Sequence, residues 1–450
     1  MQLGMDRVDR IAVRPVRRHW FVASLTILAM GGAAFYAFSG ISQRAGNWTR
    51  LEAASLSTDL AWQEEADRLE ALGYLGGSVP ATDLSGVILH DNNLAVQGLN
   101  LYTSTADNHI RLMDMAGTVL HTWKLDLSEL PTIVATLERQ KDAKLTNLLL
   151  DNATTATMQK PILHPHLLPN GDLLVSYRKF GLVKLDRDSN ILWQADAKFH
   201  HDLDVTPNGD IYALAMEILP RRISRLPWLH NETPTKMDFI VHLDSEGNEL
   251  KRIDVLKAFE GSSFRHVLSD MPEAGDITHS NELVYLDGSK AHLNPIYKRG
   301  NLLISCREID AIAVIDPDLE EVVWAMRGPW KKQHSPVLLD NGHILLFDNR
   351  GLGDRSRVLE IDPETRTIRW TYGEQPDQKF FSWECGAVQR LPNGNTIVTE
   401  STAGRAFEVT PERQVVWEFV NPQRRGNKIA TLFRVLRLGS EIPTEWLKKG

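Results

Sequence analysis

Six times along this 450-residue chain a short β-prone run ends at an Asp or Thr, turns, and resumes as a second short run. Five of the copies close on tryptophan: Leu112-Met113-Asp114 to Trp123, Lys184-Leu185-Asp186 to Trp193, Val314-Ile315-Asp316 to Trp324, Glu360-Ile361-Asp362 to Trp370 and Glu408-Val409-Thr410 to Trp417. The sixth, His242-Leu243-Asp244-Ser245-Glu246-Gly247-Asn248, lacks only the tryptophan. Between these copies lie alternating segments punctuated by Pro-Asn-Gly, the residues a tight antiparallel connection needs. Each unit thus reads as two hairpins, an inner pair around a two-residue Asn-Gly or Asp-Gly turn and an outer pair around the Asp turn. Four strands repeated six times describe an all-β, six-bladed β-propeller in which the first strand of each blade lines a central channel. A long β-sandwich would not repeat internally, and a β-helix would repeat with a shorter period.

The propeller reading covers residues 85–450, including a C-terminal extension. Ahead of it the texture differs. Arg7, Arg10, Arg14, Arg17 and Arg18 precede Trp20 to Phe38, an uncharged, mostly apolar run of 19 residues that is just long enough to cross a bilayer as a helix. The arginine excess predicts a cytoplasmic tail over 1–18, a single transmembrane anchor over 19–40 in the inner membrane, and a periplasmic chain from there on. The run is longer than a signal-peptide core, which favours an uncleaved anchor, and no cysteine follows it for lipid attachment. Within 41–84, Leu51, Leu56, Leu60, Leu69, Leu72 and Leu75 stand among charged residues, as a short membrane-proximal amphipathic helix would have them. Such a stripe suits packing on the propeller or, as the alternative, a homodimer contact. Three insertions interrupt the repeat, Leu125 to Lys160, Met216 to Asp238 and Val255 to Gly275; at a propeller rim these would serve as a lid or as surface decoration.

A formal net charge of -8 and a pI near 6.0 leave no basic field for a nucleic-acid partner. Cys306 and Cys385 fall in different repeats, outside any Cys-x-x-Cys or zinc pattern, and read as two buried thiols. The histidines are more informative. His201 precedes Gly209 by eight residues, His334 precedes Gly342 by eight, and His279 precedes Gly288 by nine. Equal offsets from a turn that fixes register place side chains at equivalent points, so radially arranged hairpins would bring the three imidazoles together. Arg178 and Arg307 each lie seven residues after a glycine, Gly171 and Gly300, and so share a place on the second strand of their blades. Arg307 beside three histidines predicts a strongly cationic, partly desolvated pocket suited to an anion, with Asn281, Asp202 and Gln333 placed to set imidazole tautomers. Three histidines from separate strands would also suit zinc or copper, although a guanidinium repels a divalent cation. A propeller that binds a ligand or scaffolds partners without turnover is the other alternative.

The segments His200-His201-Asp202, Asp276-Ile277-Thr278-His279-Ser280-Asn281, Ile304-Ser305-Cys306-Arg307 and Gln333-His334 resemble the active-site segments of bacterial arylsulfotransferases, the sulfotransferases that need no nucleotide donor. The resemblance runs from Asn100 to Pro422. It implies a cofactor-free propeller outside the cytoplasm that moves a sulfuryl group from an aryl sulfate donor to a phenolic acceptor through a sulfohistidine. It also implies His334 as the sulfated residue and His201, His279 and Arg307 as the supporting catalytic groups, with Asn281 matching the motif asparagine. Asn281, Arg178 by its register, and His200 beside His201 are the expected substrate-binding residues. The best-known members carry a sizeable N-terminal β-domain where this chain has an anchor and a short helix. The chemistry suits the residues: sulfuryl transfer spreads negative charge over three oxygens, for which Arg307 offers a planar fork of donors. A neutral His334 can attack sulfur, and His201 or His279 can move the phenolic proton. A nucleotide-dependent sulfotransferase is disfavoured because no Gly-x-x-x-x-Gly-Lys loop occurs.

Overall fold

In a computed structural model of the protein, which describes residues 79–125, 130, 163–177, 181–195, 197–219, 235–272, 275–439 and 443–448, the six sequence units become six antiparallel sheets. The anchor at 19–40, the helix from Leu51 to Leu75, Arg178 and most of the insertion from Leu125 to Lys160 lie outside the described residues. Among the described residues no helix is long and apolar enough to cross a membrane.

The blades are numbered in chain order. From channel to rim, blade 2 runs Leu163–Leu167, Leu173–Tyr177, Gly181–Leu185 and Ile191–Ala195. Blade 3 runs Phe199–Val205, Ile211–Leu219, Thr235–Leu243 and Glu249–Asp254, and blade 4 runs Ser280–Tyr285, Leu302–Cys306, Ala311–Asp316 and Glu321–Arg327. Blade 5 follows with His334–Leu338, Ile344–Asp348, Arg357–Asp362 and Thr367–Tyr372. Blades 1 and 6 meet where the chain begins and ends. Blade 1 takes Leu99–Ser104, His109–Met113 and Val119–Lys124 from the start of the ring, but its innermost strand is Leu432–Leu438. Blade 6, Ala387–Arg390 to Val415–Val420, gains Gly86–His90 as a fifth strand on its outer edge. The residues that the sequence offers as a C-terminal extension therefore include the strand that closes the ring.

The recurrent Asp and Trp have separate jobs. Each outer hairpin carries a bulge at the same place, between Lys184 and Leu185 in blade 2 and between Glu360 and Ile361 in blade 5, for example. There the Asp side chain accepts backbone N–H groups across the turn, as Asp186 does from Asp188 and Asn190, both at 2.8 Å. The tryptophan reaches sideways. Trp193 Nε1 donates to Ser245 O of blade 3 at 3.1 Å, Trp370 to Pro411 O of blade 6 at 2.8 Å, and Trp417 to Met115 O of blade 1 at 3.1 Å, so each indole staples its blade to the next.

The inner turns hold one residue more than expected. Leu168 N bonds Asp172 O and Gly171 N bonds Leu168 O, enclosing Pro169-Asn170-Gly171 as a three-residue loop whose glycine has φ +89°. In blade 4 the equivalent bonds are Leu286 N to Asn301 O and Gly300 N to Leu286 O, so Asp287-Gly288 opens a 14-residue excursion and is not the turn itself. The middle strands are packed on both faces by neighbouring blades and read as continuous apolar runs: Leu302–Cys306 and Ile344–Asp348 are buried throughout. The core consequently lies between blades, as where Leu345, Phe347 and Val358 meet Val388, Val398 and Phe407. Of the three insertions, Val255 to Gly275 is largely described: a helix, Val255–Glu260, capped by Asp254 and buried through Phe259, wedges against blades 3 and 4. It delivers the chain to Asp276.

Candidate active site

At one end of the channel the innermost strands of blades 3, 4 and 5 are distorted where the histidines stand. His201 and His279 adopt left-handed backbone conformations, with φ of +52° and +48°, and in blade 5 the neighbouring Ser335 does so at +53°. Non-glycine residues rarely adopt this region, and strain of this kind with a bulge re-aims side chains at functional sites. In blade 3, residues 200–202 bulge between the pairs Leu203–Ala213 and Phe199–Ala215, and in blade 5 Ser335 and Pro336 bulge after the pair His334–Phe347. His201 and His334 thus face the same place on their second strands, as equal spacing implies. His279 does not. Its carbonyl accepts from Arg307 N at 3.1 Å, two positions further towards the channel mouth, and its offset from Gly288 carries no register because Gly288 is not in the turn. The imidazoles converge nonetheless, with the His201 and His279 rings 4.9 Å apart.

The environment of His334 fixes its tautomer. Nδ1 lies 2.8 Å from Asn349 Oδ1 and 3.0 Å from Lys332 O. The amide of Asn349 cannot be reversed, because its Nδ2 donates to Ser382 O at 2.9 Å and Cys385 O at 2.6 Å. Both oxygens only accept, so Nδ1 carries the proton and Nε2 holds a lone pair; that nitrogen is buried with no partner. Burial first, then Arg307 and His279, push the imidazole down to a pKa of about 3, which keeps it neutral. The preceding Gln333 is fastened to blade 4, donating to Ala311 O at 2.8 Å and Ser305 Oγ at 3.1 Å, and Asn281 Nδ2 donates to Gln333 O at 2.9 Å. Asn281 and Gln333 therefore place the backbone of His334 and leave its tautomer to Asn349.

His279 is backed differently. Its Nδ1 bonds the carboxylate of Asp276, and its Nε2 is buried without a partner. Burial works to raise the Asp276 pKa, but His279, Lys236 and Arg307 outweigh it and hold the carboxyl well below its usual range. The segment is pinned by Asp238 of blade 3, which accepts from Thr278 Oγ1 and Ser280 N, each at 2.6 Å. His200 stands behind His201, with their Nδ1 atoms 2.6 Å apart and its Nε2 3.6 Å from Asp238 Oδ1.

Arg307 is 3% exposed, and the expected cationic pocket is tempered around it. Its Nε and one terminal nitrogen donate to Glu308 Oε1 at 3.0 and 2.7 Å, and the other terminal nitrogen lies 3.6 Å from Glu384 Oε2. Burial pushes Glu308 upward, yet Arg307, His279 and Lys332 hold it at about 2. Glu384 also faces Arg350, whose guanidinium lies 4.1 Å over the Trp383 ring. A floor closes the site below: Arg434, from the ring-closing strand, lies 3.3 Å from Asp202 and also binds Glu282. Asp202 is engaged there and sets no imidazole tautomer. His164 and His166, on the innermost strand of blade 2, join the cluster, the His164 ring standing 5.7 Å from that of His201. Among the described residues no three His, Cys, Asp or Glu side chains assemble as metal ligands, and both cysteines are buried free thiols.

Asn349, Asp238, Glu308, Glu384, Arg434, His164 and His166 were not among the residues singled out by sequence, and Asp276 stood there only as the first residue of a motif, without a role. Asn349 carried a signal: it lies seven residues after Gly342, the offset that marks Arg307 after Gly300.

No curated protein sequence matches the chain. Similar solved structures include a Bacteroides caccae protein of unknown function (13% identity, TM-score 0.46, covering 75% of this chain and 98% of that one) and virginiamycin B lyase from Staphylococcus aureus (10%, 0.36, 59% and 72%). The Cps50 (Swd1) β-propeller domain of Myceliophteria thermophila is another (10%, 0.41, 77% and 89%). The family described as arylsulfotransferase (ASST) matches residues 164–422, a stretch that takes in blades 2 to 6 and all of the channel-end site except Arg434. With more than half of the 450 residues matched, this chain belongs to the arylsulfotransferase family.

Proposed function

We propose that the protein transfers a sulfuryl group from a phenolic sulfate ester to a phenolic acceptor, without nucleotide, through a covalent adduct on His334. The observation that carries this reading is the bare, buried Nε2 lone pair of a neutral imidazole whose other nitrogen is locked by two acceptor oxygens, with Arg307 adjacent. Arg307, poised by Glu308 and Glu384, receives the sulfuryl oxygens as charge moves onto them. His279, with Asp276 behind it, gives a proton to the departing phenolate and later takes one from the incoming phenol. His201 and Asn281 line the same end of the channel and complete the substrate's surroundings.

Because donor and acceptor need never be bound together, kinetics should be ping-pong. Excess aryl sulfate without acceptor should give a burst of about one phenol per active site and a sulfuryl adduct on His334 visible by mass spectrometry. His334→Asn should abolish both. A burst that survives in this variant would move the nucleophile elsewhere, and intersecting initial-rate plots without a burst would favour direct transfer.

The arginine-flanked run at Trp20 to Phe38 further supports an inner-membrane protein whose propeller faces the periplasm. An alkaline phosphatase fusion after residue 80 should then be active; an inactive fusion on an intact chain reverses the topology.

A further inference from the structure

When Nε2 of a δ-protonated imidazole bonds to sulfur, the ring becomes cationic unless Nδ1 releases its proton. What faces Nδ1 therefore decides what kind of intermediate forms. At His279 the facing group is a carboxylate, Asp276, which can share or take a proton. At His334 it is Asn349 Oδ1 at 2.8 Å with Lys332 O at 3.0 Å, and neither an amide nor a peptide oxygen takes a proton from an imidazolium under conditions in which a protein stays folded. Asn349 is fully buried, and its nitrogen is committed to Ser382 O and Cys385 O, so it cannot turn to offer anything else. The adjacent carboxylate, Asp348, is engaged elsewhere, accepting from Arg357 Nε at 2.8 Å and from Lys331 N and Gly351 N.

Resting on the reading of His334 as nucleophile, we infer that Asn349 keeps the sulfated ring protonated at Nδ1, so that the intermediate is a sulfo-imidazolium and not a neutral sulfo-imidazole. In the first half-reaction the Nε2 lone pair forms the N–S bond, and the S–O bond to the aryl oxygen breaks. Its electron pair leaves with that oxygen, which takes a proton from His279, while Nδ1 keeps its own. In the second, the acceptor oxygen forms the new S–O bond as its proton passes to His279, the N–S bond breaks, and its pair returns to Nε2 of a neutral ring. A cationic ring is the better leaving group, so Asn349 is a positioning residue that sustains the second half-reaction. A carboxylate there would make the nucleophile stronger and the adduct inert.

The test is Asn349→Asp in the full-length, detergent-solubilised protein, with 4-nitrophenyl sulfate as donor and phenol as acceptor, followed by rapid quench and mass spectrometry. The variant should load His334 at least as fast as wild type and discharge it to phenol on the order of 10–100-fold more slowly, the range that partners behind a working imidazole command. The adduct would then persist at steady state. 15N-histidine spectra of the adduct should show a protonated Nδ1 in wild type and a deprotonated one in the variant. Discharge at the wild-type rate overturns the inference, as does a deprotonated Nδ1 in the wild-type adduct, a measurement that stands even if the variant fails to fold. Absence of any His334 adduct in wild type would instead overturn the nucleophile itself.

Discussion

Acid should destabilise this protein in part through His334, by an amount that can be isolated. An ordinary imidazole titrates near 6.5, whereas burial, Arg307 and His279 hold His334 at about 3. In the unfolded chain the ring binds a proton below 6.5, and in the folded chain it stays neutral until about 3. Stability that is fully present above 6.5 is therefore lost as the pH falls from 6.5 towards 3. At about pH 4.5 the loss from this one group is two pH units at rather more than 1 kcal/mol each, roughly 3 kcal/mol. Glu308 and Asp276, held below the ordinary carboxylate range, add losses that begin at the lower end of this window and run beneath it, so the total loss is not diagnostic but the difference between two proteins is. Urea unfolding of wild type and His334→Asn at neutral pH and near pH 4.5 should show the variant losing roughly 3 kcal/mol less on acidification, with similar m values. Equal losses in the two proteins would mean that His334 is not held neutral, and the desolvation argument would fall with them.

Arg307→Lys keeps a charge and loses the fork that can grip two sulfuryl oxygens, so turnover should drop by about 3 kcal/mol, on the order of a hundredfold, in steady-state assays; near-wild-type turnover would remove Arg307 from the chemistry. Asp276→Asn keeps an acceptor for His279 but not the charge that steadies an imidazolium, so its kcat/KM deficit should grow with the pKa of the leaving phenol across a series of aryl sulfates, and a flat deficit would exclude His279 as the acid. Trp417→Phe removes the bond to Met115 O across the seam of blades 6 and 1 from a wholly buried position, and should lower unfolding stability by about 1–3 kcal/mol in denaturant titrations while leaving KM unchanged.

What the sequence disclosed of this molecule was whatever repeats. Outer turns recur with a similar spacing from Asp to Trp because every blade must turn and most are stapled to the next by an indole, and six copies gave the ring its blade number. His201 and His334 were legible for the same reason, since each is counted from a true inner turn. Asp287-Gly288 misled because a glycine turn motif looks alike whether it joins two ladder strands or opens an excursion, and only pairing of Tyr285 with Leu302 distinguishes them. Asp238 and Asp276 answer to no periodicity: 38 residues apart in sequence, they are brought within electrostatic reach of each other through an insertion that wedges between two blades. His164 and His166 precede the blade 2 turn glycine, Gly171, by seven and five residues, not by the eight that marks His201 and His334, so the count passed them over. Arg434 lies on a strand that belongs to the first blade and is written at the other end of the chain.

That last strand has a consequence for synthesis. A ribosome making this chain completes blades 2 to 5, and with them His201, His279, Arg307 and His334, before Leu432–Leu438 emerges. Until then blade 1 lacks its channel strand, Asp202 and Glu282 face each other without Arg434, and the carboxylates of the floor have no counter-charge. Proofreading is thus built into the connectivity: a product cut short by even these few residues retains its family motifs and His334 but has an open ring and an uncompensated charge beneath the site. Only a chain translated to its closing strand can assemble a working channel.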